Sequence, residues 1–114
     1  FDFANNGNGP MDADTLLLID ALPGEITFYN GDIDGAAGPE TNVIAFTQSG
    51  SGLVFDPGLH IGFSNAGSMP ANFGDCTYTP DPGYDLSVTH ICLQPDGALE
   101  AGASARFQFR ATIR

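Results

Sequence analysis

The stretch ASARFQFRATIR, residues 103–114, decides the fold. Successive side chains of a β-strand point to opposite faces. Read that way, Phe107, Phe109, Ala111 and Ile113 share one face, and Arg106, Gln108, Arg110, Thr112 and Arg114 share the other. Alternation sustained over this length marks a half-buried strand rather than a helix. All the basic residues of the chain lie on the polar side of this one strand. The arginines are spaced four residues apart, about 13 Å at strand rise. One reading is a solvated edge that charge keeps from pairing with other sheets. The other is an electrostatic docking strip for an acidic surface, such as that of an identical subunit.

The rest of the chain reads similarly. No helical period stands out; short apolar or alternating runs are broken by Gly, Pro, Asn or Asp. Candidate strands are 1–4, 15–21, 26–29, 42–47, 52–55, 59–64, 75–79, 87–93 and 103–114. About nine strands in one chain of 114 residues is the pattern of a single antiparallel β-sandwich, with a closed barrel as the alternative. TLLLID, residues 15–20, is apolar without alternation, so both faces of that strand should be covered. LHIGFS, residues 59–64, alternates and places His60 at the surface. Residues 30–41 and 64–75 read as long loops, the second with room for a short helical turn.

Composition narrows the function. Fourteen acids face three arginines and no lysine, a net charge of −11. Such a surface repels nucleic acid and anionic membrane, and suits divalent cations, a basic partner or a salty medium. Without lysine there is no Schiff-base amine, P-loop lysine or lysine-derived isopeptide bond. No stretch approaches the roughly 20 apolar residues of a membrane helix. Cys76 and Cys92 are the only cysteines, and an even count in a small loop-rich domain points to a disulfide and an oxidising compartment. Closing a loop of roughly 17 residues adds about 3 kcal/mol by chain entropy. The sequence between them, TYTPDPGYDLSVTHI, carries Pro-Asp-Pro-Gly where a hairpin turn would sit, with Tyr84 packing as a core or corner tyrosine.

Both ends of the chain resemble a known family. NNGNGPMDADTLLLIDALPGEITFYNG is similar to the start of the bacterial surface repeats called domain of unknown function eleven. Asn6-Gly7-Asn8-Gly9-Pro10 matches the family's opening turn, Asp20-Ala21-Leu22-Pro23 its middle, and Thr27-Phe28 the next strand. LEAGASARFQFRATI, residues 99–113, resembles its closing strand, with Ala101 where Pro is usual. The resemblance implies an immunoglobulin-like sandwich of about seven to nine strands on secreted or cell-surface proteins, often in tandem, with no known catalysis.

The same resemblance raises a question about FDFANNGNGP, where a strand is cut short by turn residues. The family would place another strand before Phe1. A sandwich without it exposes a groove and unpaired backbone groups, each costing about 1–3 kcal/mol if buried. The expectation is either a fragment, the C-terminal part of a longer or processed protein, or a groove filled by a strand from a neighbouring subunit. The residues expected at such an interface are Phe1, Phe3, Leu16, Leu18, Arg106, Arg110 and Arg114.

Two site readings compete with assembly. In NGDIDGAAGPET, Asn30, Asp32 and Asp34 follow the spacing of a calcium loop, with Glu40 one residue before the usual bidentate position. No helix flanks it, so it is not an EF-hand; the alternatives are an oxygen-rich calcium loop or a solvated hairpin loop. Asp12 and Asp14 form a second, weaker acidic pair. His60 and His90 with the two cysteines lack the short spacings of a zinc site. Nucleophile-elbow, phosphate-loop and zinc-protease motifs are all missing. The chain is therefore expected to be a non-catalytic structural subunit of an extracellular or cell-surface assembly, a fibre or adhesive layer of identical subunits. It needs no cofactor or small-molecule substrate on this reading. The alternative is a calcium- or carbohydrate-binding module of a bacterial adhesin.

Overall fold

The computed structural model describes residues 1–35 and 42–114. The chain is all-β, as expected: among the described residues, eleven short strands form four antiparallel sheets, with one 3-10 turn at Phe73–Asp75. β1 (Asp2–Ala4), β10 (Ser104–Gln108) and β4 (Ala45–Ser49) form one sheet in that order. β11 (Ala111–Ile113), β3 (Ile26–Asn30) and β7 (Gly83–Asp85) form a second, and β2 (Leu18–Ala21), β8 (His90–Leu93) and β6 (Ile61–Ser64) a third. β5 (Gly52–Val54) and β9 (Asp96–Ala98) make a two-stranded fourth. The arrangement is compatible with a β-sandwich.

The core explains the layering. Phe107 of β10, Phe28 of β3, and Phe63, Ile91 and Leu93 of the third sheet pack into one buried cluster with Ile44 and Val88. A smaller cluster of Leu53, Leu99, Ala103 and Ala105 adjoins it, bridged by Phe3 and Phe46. Phenylalanine rings dominate the junction: Phe46 stacks on Phe107 at 4.9 Å, and Phe28 meets Phe63 at the same centroid distance. Each such pair adds about 0.5–1.5 kcal/mol beyond area burial.

The decisive stretch is two strands rather than one. Ala103, Ala105 and Phe107 are buried and alternate with exposed Ser104, Arg106 and Gln108, as the period requires. At Phe109–Arg110 the chain leaves the β1–β10–β4 sheet and joins β3 instead. Alternation no longer buries anything there: Ile113, expected inward, is 81% exposed.

Five further expectations change, because pairing between segments distant in sequence decides which faces are covered and which are left open. His60 is buried, only 6% exposed, because the turn before β6 tucks it against Phe55 and the start of β9. Residues 75–79 form no strand; they follow the 3-10 turn across the far face of β6, touching it by a parallel bridge between Phe63 and Thr77. Gly62 permits that approach: a Cβ there would lie 2.8 Å from Cys76 Cβ. The region between the cysteines is not a hairpin, since β7 pairs with β3 while β8 lies between β2 and β6. Tyr84 accordingly stands on an outer sheet face, 54% exposed. Finally, Leu16 to Asp20 are half-buried rather than covered on both sides, because β2 is the edge of its sheet.

Candidate functional site at the edge of the β11 sheet

β11 is an edge strand, and its hydrogen-bond parity is fixed by two contacts. Tyr29 N donates to Arg110 O at 2.9 Å, and Arg114 N donates to Glu25 O at 2.8 Å. In an antiparallel pair the residues that exchange hydrogen bonds alternate with those that do not. With Ala111 opposite Phe28 and Ile113 opposite Ile26, the backbone groups of Thr112 point to β3. Those of Ala111 and Ile113 point away from it, where no strand of the described residues lies. Both side chains are also exposed. Beside them, where β10 gives way to β11, Ile33, Ala45, Gln108, Phe109, Arg110 and Ala111 line a hollow of about 390 Å³.

Three other edges are better protected. β1 carries the Asp2–Arg106 ion pair on its face, and the guanidinium holds the Asp2 carboxyl below its ordinary value. β2 turns Asp20 inward opposite Ile91, and burial pushes that carboxyl up against the opposing pull of the N-terminal ammonium and His90. An inward charge and a flanking ion pair both discourage strand addition. β6 is bridged by Thr77.

The outer face of the β11–β3–β7 sheet carries a group that sequence reading missed. Tyr29 and Tyr84 are direct cross-strand neighbours with ring centroids 5.0 Å apart. The Arg110 guanidinium sits 5.2 Å over the Tyr29 ring. Arg114 donates from Nη2 to Leu86 O at 3.1 Å and from Nε to Thr27 Oγ1 at 3.2 Å. Both arginines are thus drawn over their own sheet and do not shield the β11 edge. Neither has a carboxylate partner among the described residues, whereas Arg106 is bound to Asp2. The single expected arginine strip is therefore split between two sheets. Strand parity was the available signal: Tyr29 shares its face with Thr27, and the next turn residue but one, Gly31, leaves room for the ring.

Three of the other expected interface residues serve the chain's own core. Phe3 stacks on Phe107 at 5.8 Å, Leu16 packs on the smaller cluster and Leu18 on the larger. Phe1 meets Phe109 at 6.0 Å.

The cysteines are joined, Cys76 to Cys92, which ties the 65–79 segment to β8. Of the calcium candidates, Asn30 donates its amide to Pro80 O and Asp81 O, and Asp34 accepts from Asn42 Nδ2 at 2.8 Å. Asp32 is exposed, and Glu40 lies outside the described residues. Asp14, at φ 61°, accepts from Gly97 N at 2.6 Å, which docks its turn onto β9; Asp12 is exposed beside it. His60 accepts from Asp56 N at Nδ1 and meets Asp96 at Nε2, so its role is to hold the turn. His90 lies against Thr89 Oγ1. No helix of the described residues is long and apolar enough to cross a membrane.

No family model matches the chain, and no curated protein or solved structure matches it.

Proposed function

We propose that this protein is a non-catalytic structural subunit of an extracellular or cell-surface assembly, in which a strand from an identical subunit adds to β11. The observation that carries this reading is the open β11 edge. Ala111 and Ile113, alternate residues with outward-facing backbone, offer donors and acceptors beside exposed side chains and a hollow of mixed polar and apolar lining. An added strand would gain main-chain hydrogen bonds there and cover Ile113. The disulfide suits an oxidising compartment.

The parity supplies a selective test. Proline lacks an N–H. Ile113→Pro removes a donor that faces outward, whereas Thr112→Pro removes one that serves β3. Ile113→Pro is expected to melt close to the native protein yet lose self-association in sedimentation velocity; Thr112→Pro is expected to melt lower. Native protein that stays monomeric at every concentration, or an Ile113→Pro variant that associates as the native chain does, refutes the reading.

A further inference from the structure

We infer that the outer face formed by Tyr29, Tyr84, Arg110 and Arg114 receives the acidic end of a second copy, the carboxylates gathered around β9, so that copies join head to tail. The inference rests on the assembly reading above and adds the contact that orients it.

Three observations lead there. The first is charge. Among fourteen acids and three arginines, Arg110 and Arg114 are the cations with no carboxylate partner among the described residues. They share one exposed face with two tyrosines, and Tyr and Arg are the residues that most often anchor protein interfaces. A guanidinium beside an aromatic ring presents planar donors to a carboxylate.

The second is supply. Asp12, Asp14, Asp56 and Asp96 are all exposed, and contacts to β9 and to His60 bring them near one another. Met11 N donates to Leu99 O and Asp14 N to Gly97 O, placing the 11–14 turn along β9; His60 links Asp56 to Asp96. The chain therefore carries both the cationic face and an acidic end that complements it.

The third is symmetry. A two-fold contact through the cationic face would set arginine against arginine, and one through the acidic end would set carboxylate against carboxylate. Opposite charges meet when the two different patches join; where that contact is heterologous and does not close into a ring, it grows into open filaments.

The experiment uses two double variants. Arg110→Gln with Arg114→Gln removes the face. Asp12→Asn with Asp96→Asn blunts the end, and the amide oxygen introduced on β9 still accepts from His60. A third variant, Asn65→Asp with Ser68→Glu on the exposed loop, has the same net charge of −13 as the arginine variant, two below −11. By sedimentation velocity, each of the first two is expected to associate at least about tenfold more weakly than the native chain, and the loop control is expected to match it. Mixing the first two should yield dimers that do not extend, because each such pair has one intact contact. If native protein assembles and both variants assemble equally well, the face is not the contact and the strand-addition reading survives alone. Native protein that stays monomeric removes both. Unchanged assembly combined with loss of polyuronate binding by the arginine variant would reassign the face to an acidic glycan and overturn the inference.

Discussion

Replacing Asp85 by asparagine tests the joint between β7 and the core. Asp85 is 5% exposed and sits opposite Phe28. Its Oδ2 accepts from Tyr78 Oη and Asp81 N, both at 2.8 Å, and its Oδ1 accepts from Ser87 N at 2.7 Å. An Asn side chain has one acceptor oxygen and one donor nitrogen. With its oxygen toward Tyr78, its amide nitrogen confronts Ser87 N–H. Flipped, it confronts Asp81 N–H, and only the Tyr78 hydroxyl can turn to adapt. One backbone donor is orphaned in either orientation, at about 1–3 kcal/mol, and the charge-assisted character of the remaining bonds is lost as well. The sum is about 3 kcal/mol. For a chain of this size that lowers Tm by roughly 10 °C.

Acid provides the internal control. Burial alone would raise the Asp85 carboxyl, but the Ser87 and Asp81 N–H groups and the Tyr78 hydroxyl outweigh it, and the group is held below its ordinary 3.8. A carboxyl lowered in the folded state contributes stability that is complete above its ordinary value and disappears as pH falls through the lowered one. The Asn variant has no such titration. The melting gap between native and Asp85→Asn protein should therefore be constant at neutral pH and narrow in strong acid. Tyr78 behaves in the opposite sense. Its hydroxyl is pushed up chiefly by the bond to Asp85, so that contribution is lost as pH rises through the raised value. A gap under about 2 °C at neutral pH, or one that persists unchanged in strong acid, refutes the account of Asp85 as the organiser of this turn.

Gly62→Ala should destabilise by about 1–3 kcal/mol through overpacking, because the new methyl would meet both Cys76 Cβ and Cys76 O at 2.8 Å. Thermal melts check this, and a native-like melt would mean that the 65–79 segment does not lie against β6. Reducing the disulfide should lower stability by about 3 kcal/mol and relieve part of that penalty. Millimolar calcium is expected to leave Tm unchanged, since the Asn30 amide is committed to Pro80 and Asp81 and Asp34 binds Asn42. A calcium-induced rise that Asp32→Asn with Asp34→Asn abolishes would show that the loop rearranges into a site.

How much of this was legible in the sequence depends on what each signal measures. Alternation reports which side of a strand a residue takes, and it placed Phe107, Arg106 and Gln108 correctly. It does not report which layer lies over that side. Parity runs unbroken through Phe109, Ala111 and Ile113 while the strand changes sheets, so the exposure of Ile113 leaves no mark on the pattern. His60 failed for the converse reason: the side expected to be open is covered by its own preceding turn, through Phe55 and Asp56, and by Asp96 from β9. β9 escaped notice because Asp96-Gly97-Ala98 has poor strand propensity. Gly97 is required there by proximity, since at φ 85° a Cβ would fall 2.1 Å from Gly52 O. The cysteine pair was legible because covalent chemistry needs only two partners in a suitable setting. The tyrosine–arginine face was not, because its members come from three strands that the sequence does not order.

The change of sheet at Phe109–Arg110 links the two proposals physically. Before it, Arg106 lies beside β1 and finds Asp2. After it, the same polar parity carries Arg110 and Arg114 onto a different surface, over Tyr29 and beside Leu86. An exposed ion pair is worth only about 0–1 kcal/mol, so leaving those two arginines without carboxylates costs the fold little. Folding stability therefore neither requires nor forbids their state. Their energetic value changes once water is excluded around them, where charge pairs across an interface couple by about 1.5–7 kcal/mol. The open edge of β11 lies between the residues that carry both guanidinium groups, Arg110 and Arg114. A partner laid along that edge would bring its own carboxylates within reach of Arg110 and Arg114. Main-chain pairing would then supply adhesion, while the arginines would choose which end of the neighbour is admitted.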